Sequence, residues 1–246
     1  MTEGNDAVAA SRTSGSEAIP LIQPMSGDAI EKLATLSLGS NHLEAAANDS
    51  RVLLCDMGYG VPKEVRPRRE KILAIARQLV NFVEFQCAQA HPPTPVRILD
   101  CPDDAIEEAL CSRMKELLKA DIPDHVRFVR NTTLSEFVDA VYLSPDAPDV
   151  LSFDTAPPSQ LVVGLLIDRR VQVDRSLQRA EKLGLRAARL PLDSFTNLSP
   201  NEPLNVDCVL EGIQRWQWNT EPGEDAFWKA LRHHESRHPK RVQHIS

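Results

Sequence analysis

From about residue 51 onward the sequence predicts an α/β fold: a mainly parallel sheet with helices on both faces. Short apolar runs alternate with helical segments of ten or more residues, the pattern of strand–helix–strand units. One run, LVVGLLID at 161–168, is hydrophobic throughout, as a central strand buried on both faces requires. The chain has 246 residues, 42% of them hydrophobic and 26% charged. That suits one sizeable core with appendages and excludes collagenous, coiled-coil and wholly disordered classes.

The elements follow in order. RVLLCDMG (51–58) reads as a buried strand emptying into a loop at Asp56 and Gly58. Over 66–88, Ile72, Ile75, Ala76, Leu79, Val80 and Val83 recur at three- and four-residue spacings, so one face of a long helix is buried. VRILD (96–100) is a second strand, and Asp103 or Asp104 caps a helix running to about Lys119 with Ile106, Leu110, Met114, Leu117 and Leu118 inward. HVRFVR gives a third strand, 133–137 a short helix, and DAVYLSPDA a fourth strand ending in a Ser-Pro-Asp loop. After 161–168 come a helix over 171–183 stopped by Gly184, a strand RAARLPL, the loop DSFTNLSPNEP, and two terminal helices over 206–216 and 225–234.

Residues 1–50 hold two basic and seven acidic residues and are rich in Ser, Ala, Asn and Gly. They read as a flexible acidic tail with one helix over 28–36, so the domain proper is 51–246. No apolar run approaches the length of a spanning helix, and the acidic start MTEGNDAVAAS is unlike a signal or transit peptide; no membrane association and a nuclear or cytoplasmic setting are expected, with a mitochondrial one left open. Five scattered cysteines without a C-x-x-C argue for reduced thiols and against a zinc site. Cys101 and Cys111 read as buried. The formal charge is −7, but residues 161–190 carry seven basic against three acidic side chains, and 226–246 five against one, so a basic face is available for nucleic acid.

Generic motifs are missing: G-x-G-x-x-G, the P-loop, G-x-S-x-G and H-E-x-x-H do not occur. Ligands of open parallel sheets bind beyond the carboxyl ends of strands, where Asp56, the loop 144–146 and Asp168 fall. His233, His234 and His238 read as surface groups rather than metal ligands, and Trp216, Trp218 and Trp228 as core rather than base-stacking platforms.

The segment VVGLLIDRRVQVDRSLQRAEKLGLRAARLPLDSF resembles the SPOUT-class tRNA purine-9 N1-methyltransferase family. That family shows an apolar strand with Gly-Gly, an aspartate followed by basic residues, a Ser/Cys/Thr helix rich in Ala and Lys, and an LP(I/L) loop. YLSPDA (142–147) resembles its YLTPD loop, RVLLCD its first-strand aspartate motif, Gln78 its helical glutamine, and FWKAL, loosely, its terminal helix. The resemblance covers about 51–245. It implies a C-terminal trefoil knot that holds S-adenosylmethionine in a bent shape, chiefly by backbone groups. By position the cofactor contacts fall on Leu143, Gly164, Asp168, Arg169, Arg170, Val171, Gln172, Ser176, Leu190, Glu202, Pro203 and Leu204.

The family's general base falls on Asp168. Guanine N1 carries a proton at neutral pH that methylation must displace, whereas adenine N1 offers a lone pair, so a base serves guanine and is dispensable for adenine. The resemblance implies N1 of the purine at tRNA position 9 as the target, with guanine ahead of adenine, and the target base must leave its stack. Arg66, Arg68, Arg69, Arg169, Arg170, Arg175, Arg179, Lys240 and Arg241 are the candidate RNA contacts, with Arg186, Arg189, Arg232 and Arg237 further cations nearby.

Three departures stand out. Leu165 occupies the family's second glycine and adds a side chain near the cofactor pocket, or else points into the sheet. The family's Asn-Arg pair falls near Gln86 and Cys87. An acidic segment replaces the family's Lys-rich extension, so a partner protein is expected to compensate. These departures keep open an alternative: a catalytically weak or inactive RNA- or protein-binding subunit of a tRNA-processing complex. A monomer is expected.

Overall fold

A computed structural model of the protein describes residues 51–167, 172–192, 204–218 and 220–237. The acidic segment 1–50 and its expected helix lie outside the described residues. Strands β1 (Val52–Asp56), β2 (Val96–Leu99), β3 (Val126–Phe128), β4 (Val141–Leu143), β5 (Gln160–Gly164) and β6 (Arg186–Ala188) form one six-stranded sheet in the order β3-β2-β1-β5-β4-β6. Every pairing is parallel, as the strand–helix alternation predicts. The run at 161–168 supplies β5, which lies between β1 and β4, a central position in agreement with its hydrophobicity.

Side chains alternate between two cores. Leu53, Cys55, Ile98, Val141, Leu161 and Val163 face a large cluster closed by helices α1 (Val65–Ala88), α2 (Asp104–Leu118), α4 (Val206–Gln217) and α5 (Gly223–Arg237). Leu54, Leu99, Tyr142 and Val162 face a smaller cluster closed by α3 (Arg175–Leu183), through Ala180 and the following Leu185, and by Leu134 of a 3-10 turn, Leu134–Glu136. The inward positions expected of α1 are all buried. Leu117 of α2 is half-buried, its companions fully so. Asp103 is the residue that caps α2, accepting from the Ile106 N–H at 2.8 Å.

Several elements are shorter than the sequence suggests. β5 stops at Gly164 because its neighbour stops: Asp56 pairs with Gly164, and the last bond of that edge runs from Leu165 N–H to Asp56 C=O at 2.9 Å. Helix α3 begins at Arg175 because Asp174 takes a left-handed conformation (φ 60), which a helix cannot propagate through. The RAARLPL run keeps only Arg186–Ala188 as strand, with a single further bridge from Arg189 to Val150. The register sets Asp56 level with both Leu99 and Gly164, and Leu143 level with Ala188, so the carboxyl ends form a common rim. Among the described residues no helix is long and apolar enough to cross a membrane.

Candidate active site at the carboxyl ends of the strands

The structure brings Leu143, Gly164, Ser176 and Leu190 to the rim of β5, β4 and β6, and leaves Gln172 and Leu204 apart from it. Gly164 ends β5 and Leu143 ends β4. Leu190 lies two residues past β6, packed on the large core. Ser176, in the first turn of α3, joins the rim through its hydroxyl, 2.8 Å from the hydroxyl of Ser144 just beyond β4. Gln172 is exposed and reaches Arg175, 2.7 Å from Arg175 Nη1 to Gln172 Oε1. Leu204 packs with Cys208, Trp228, Ala230 and Leu231 between α4 and α5. Asp168, Arg169, Arg170, Val171, Glu202 and Pro203, and with them the segments on which a knot depends, lie outside the described residues; so do His238, Lys240 and Arg241.

Leu165 resolves in favour of the sheet. It is 1% exposed within the large core, on the side away from Gly164, because successive residues of an extended chain point to opposite faces. It therefore does not narrow the rim. Gly164 is kept bare by a neighbour: a methyl group there would lie 2.8 Å from Cε2 of Tyr59 and 2.9 Å from its hydroxyl oxygen.

Tyr59 leads to a network that the sequence did not suggest. Its hydroxyl is 2.7 Å from that of Tyr142, and Tyr142 donates to Asp56 Oδ2 at 2.7 Å. Asp56, wholly buried, also accepts from the Gly58 N–H at 2.7 Å and from Arg179 Nε at 2.9 Å and Nη2 at 3.1 Å. Arg179 Nη2 reaches Asp100 Oδ2 at 2.6 Å as well. Burial raises the pKa of both tyrosines, that of Tyr59 to about 12. Both stay protonated, and since the single proton of Tyr142 goes to Asp56, Tyr59 donates to Tyr142. Burial and the nearby Asp56 push the Asp100 carboxyl up, against the pull of the Leu134 N–H and Arg179. The hydrogen bonds to Asp56 raise the Arg179 guanidinium further.

This corrects one expectation. Arg179, taken from sequence as a phosphate contact, turns its fork inward, with its side chain only 16% exposed, and is committed to two carboxylates. Arg175 sits at the edge of the same group, its guanidinium 5.4 Å from the Tyr59 ring centre and donating to the Tyr59 carbonyl at 3.3 Å. At the start of α1, Arg68 bonds the carbonyls of Pro62 and Lys63, at 3.0 and 3.1 Å, and so closes the entering loop. Arg66 and Arg69 are exposed, and with Arg113, Val65 and Leu73 they line a groove of about 340 Å³.

Other expectations shift as well. His234 is tucked in rather than on the surface: its Nε2 is 3.0 Å from Asn205 Nδ2, and its side chain is 12% exposed. His233 pairs with the buried Glu211 at 2.7 Å. Packing of α5 on α4 draws both histidines in, which a basic-tail reading could not foresee. Among the described residues no group of His, Cys, Asp or Glu could hold a metal ion. Trp216 is core, whereas Trp218 is half-buried and stacks on His91, ring centres 4.8 Å apart. Cys101 and Cys111 are half-buried rather than buried.

The comparisons with known proteins bear on this same chain. The family model for tRNA (guanine(9)-N(1))-methyltransferase TRM10/TRM10A matches residues 85–234. A tRNA (guanine(9)-N1)-methyltransferase of Debaryomyces hansenii is 27% identical over 133 residues, covering 48% of this chain and 36% of the relative. The tRNA methyltransferase 10 homolog A of Rattus norvegicus is 29% identical over 111 residues, covering 44% and 31%. The match thus spans about a third of the length of these curated relatives. The crystal structure of full-length spTrm10 in complex with SAH superposes with a TM-score of 0.57 at 18% identity, covering 74% of this chain and 96% of that one. A dual-specific Trm10 from Thermococcus kodakaraensis gives 0.52 at 14%, covering 73% and 99%. Both likenesses carry the fold. With the family model spanning more than half of its residues, the chain belongs to the tRNA (guanine(9)-N(1))-methyltransferase TRM10/TRM10A family.

Proposed function

We propose that this protein methylates N1 of the purine at position 9 of tRNA, guanine ahead of adenine, with S-adenosylmethionine as methyl donor. Family membership supports the reaction. The observation in the structure that carries the reading is the rim at β5, β4 and β6: a glycine without a side chain, the Ser144–Ser176 hydroxyl pair, and Leu143 and Leu190 at adjacent strand ends, with Leu165 turned into the core.

These groups suit the cofactor in kind. The bare glycine lets the Tyr59 ring stand against the strand end, and hydroxyls and strand-end amides match the polar edge of an adenosine. The sulfonium supplies an electrophilic methyl group. The remaining tasks belong to the chain. Asp168 accepts the N1 proton of guanine, a step adenine does not need. The cations at the rim, Arg175 among them, and Arg66 and Arg69 on α1 meet phosphates of the tRNA. The chain acts as a monomer, and a partner protein supplies the basic surface that the acidic residues 1–50 lack. With Leu165 in the core, the inactive-subunit reading loses one of its three supports and keeps the acidic segment and the missing arginine.

The test is methyl transfer from radiolabelled S-adenosylmethionine to tRNA transcripts carrying G9 or A9. Label at N1 of G9, lost with Asp168→Asn, is the expected result. Cofactor binding without transfer to either transcript would favour the inactive subunit instead.

A further inference from the structure

Beside the rim, the Tyr59–Tyr142–Asp56–Arg179 chain has no part in methyl transfer as described so far. Its geometry nevertheless sets what stands beside Gly164 at the rim. The Tyr59 ring fills the space that a side chain at position 164 would take, so the outline of the rim at Gly164 is the outline of this ring. Tyr59 belongs to the loop between β1 and α1, held as a turn by the Gly60 N–H to Met57 C=O bond at 3.2 Å. Such a loop does not by itself fix a ring.

What fixes it is a set of donors that converge on the Asp56 carboxylate from two sides. Arg179 can only donate, and it gives Nε and Nη2 to Asp56; Asp56 receives Tyr142, and Tyr142 receives Tyr59. This network joins Arg179 on α3 to Asp56 at the end of β1 and Tyr142 in β4, and through Tyr59 it reaches Gly164 at the end of β5. Gly58 is shaped to it, since a methyl group there would overlap the Arg179 fork, 2.0 Å from Nη2. Arg179 also lies three residues past Ser176, on the same side of α3, so the helix that brings Ser176 to the rim is anchored by the same guanidinium.

We infer that Arg179 is a positioning residue for the cofactor pocket: through Asp56 and Tyr142 it holds the Tyr59 ring as the wall beside Gly164 and keeps α3 at the rim. The inference rests on the proposed cofactor site. It assigns Arg179 to cofactor affinity and removes it from the RNA surface.

The test compares the full chain with Arg179→Met, Arg179→Lys and Tyr59→Phe, by calorimetric titration with S-adenosylhomocysteine, tRNA binding, and kcat and KM for S-adenosylmethionine. Tyr59→Phe deletes one hydroxyl and keeps the fold measurable even if Arg179→Met unfolds. Arg179→Met should bind S-adenosylhomocysteine roughly tenfold or more weakly, and Tyr59→Phe about threefold, with the loss mostly in KM. Lysine at 179 should recover part of it, and tRNA affinity should hold in every variant. Wild-type affinity in folded Arg179→Met and in Tyr59→Phe overturns the inference alone, as does a loss confined to tRNA binding. A wild-type protein that binds no S-adenosylhomocysteine overturns the cofactor reading and this inference with it.

Discussion

The two ends of the sheet hold buried polar groups of opposite character. At the carboxyl end the groups are charged: Asp56, Asp100 and Arg179, joined by two tyrosines. At the amino end the group around Gln86 is built chiefly of amides. Gln86, 1% exposed, donates to the Thr94 carbonyl at 3.0 Å and to Gln214 Oε1 at 2.6 Å, and its own Oε1 is 3.0 Å from His125 Nε2. Gln217 continues this group towards Pro158 and Arg51. Charge buried next to a rim orients side chains there, at the risk of a large loss when a partner goes. Neutral amides tie α1, α4 and the strand starts together at lower stake.

The sharpest way to break this contrast is to remove the central carboxylate. Asp56→Ala leaves Arg179 with Asp100 as its one carboxylate and the Tyr142 hydroxyl without its acceptor, and should cost about 3–5 kcal/mol in urea unfolding. A loss below about 1 kcal/mol would mean the charged cluster is no more demanding than the amide one.

Acid should probe the amino end. Burial, helped by Arg97, lowers His125 from 6.5 to about 4, so the fold holds it neutral while the unfolded chain takes up a proton. Its contribution is therefore present above pH 6.5 and is lost as pH falls towards 4, up to about 3 kcal/mol in all. His125→Gln should flatten that limb of the stability–pH curve; curves of wild type and variant that run parallel across this window would refute the assignment.

Smaller effects sharpen the comparison at its margins. Asp103→Ala removes the cap of α2, away from both clusters, and should cost about 1 kcal/mol in thermal unfolding. Arg66→Ala with Arg69→Ala should change stability by less than about 0.5 kcal/mol. If these exposed arginines meet phosphates, the pair should lower the salt dependence of tRNA binding by about two units of slope. An unchanged slope would leave them as solvated surface.

Much was legible in the sequence because it is local. The strand–helix order, the buried face of α1 and the capping of α2 follow from periodicity and from contiguous motifs. Element ends were less legible: β5 stops where β1 stops, and α3 starts where Asp174 turns left-handed.

The sequence by itself determined an α/β chain and its family, since both are written in neighbouring residues. Only the tertiary structure decided which way Leu165 points, that Arg179 is internal, and that Tyr59 borders Gly164. The physical reason is sequence distance: Arg179 and Asp56 lie 123 positions apart, and Tyr142 and Asp56 lie 86 apart. An arginine on an amphipathic helix looks the same in sequence whether it faces water or a carboxylate, and only the sheet register, which brings Asp56 and Gly164 side by side under α3, distinguishes the two.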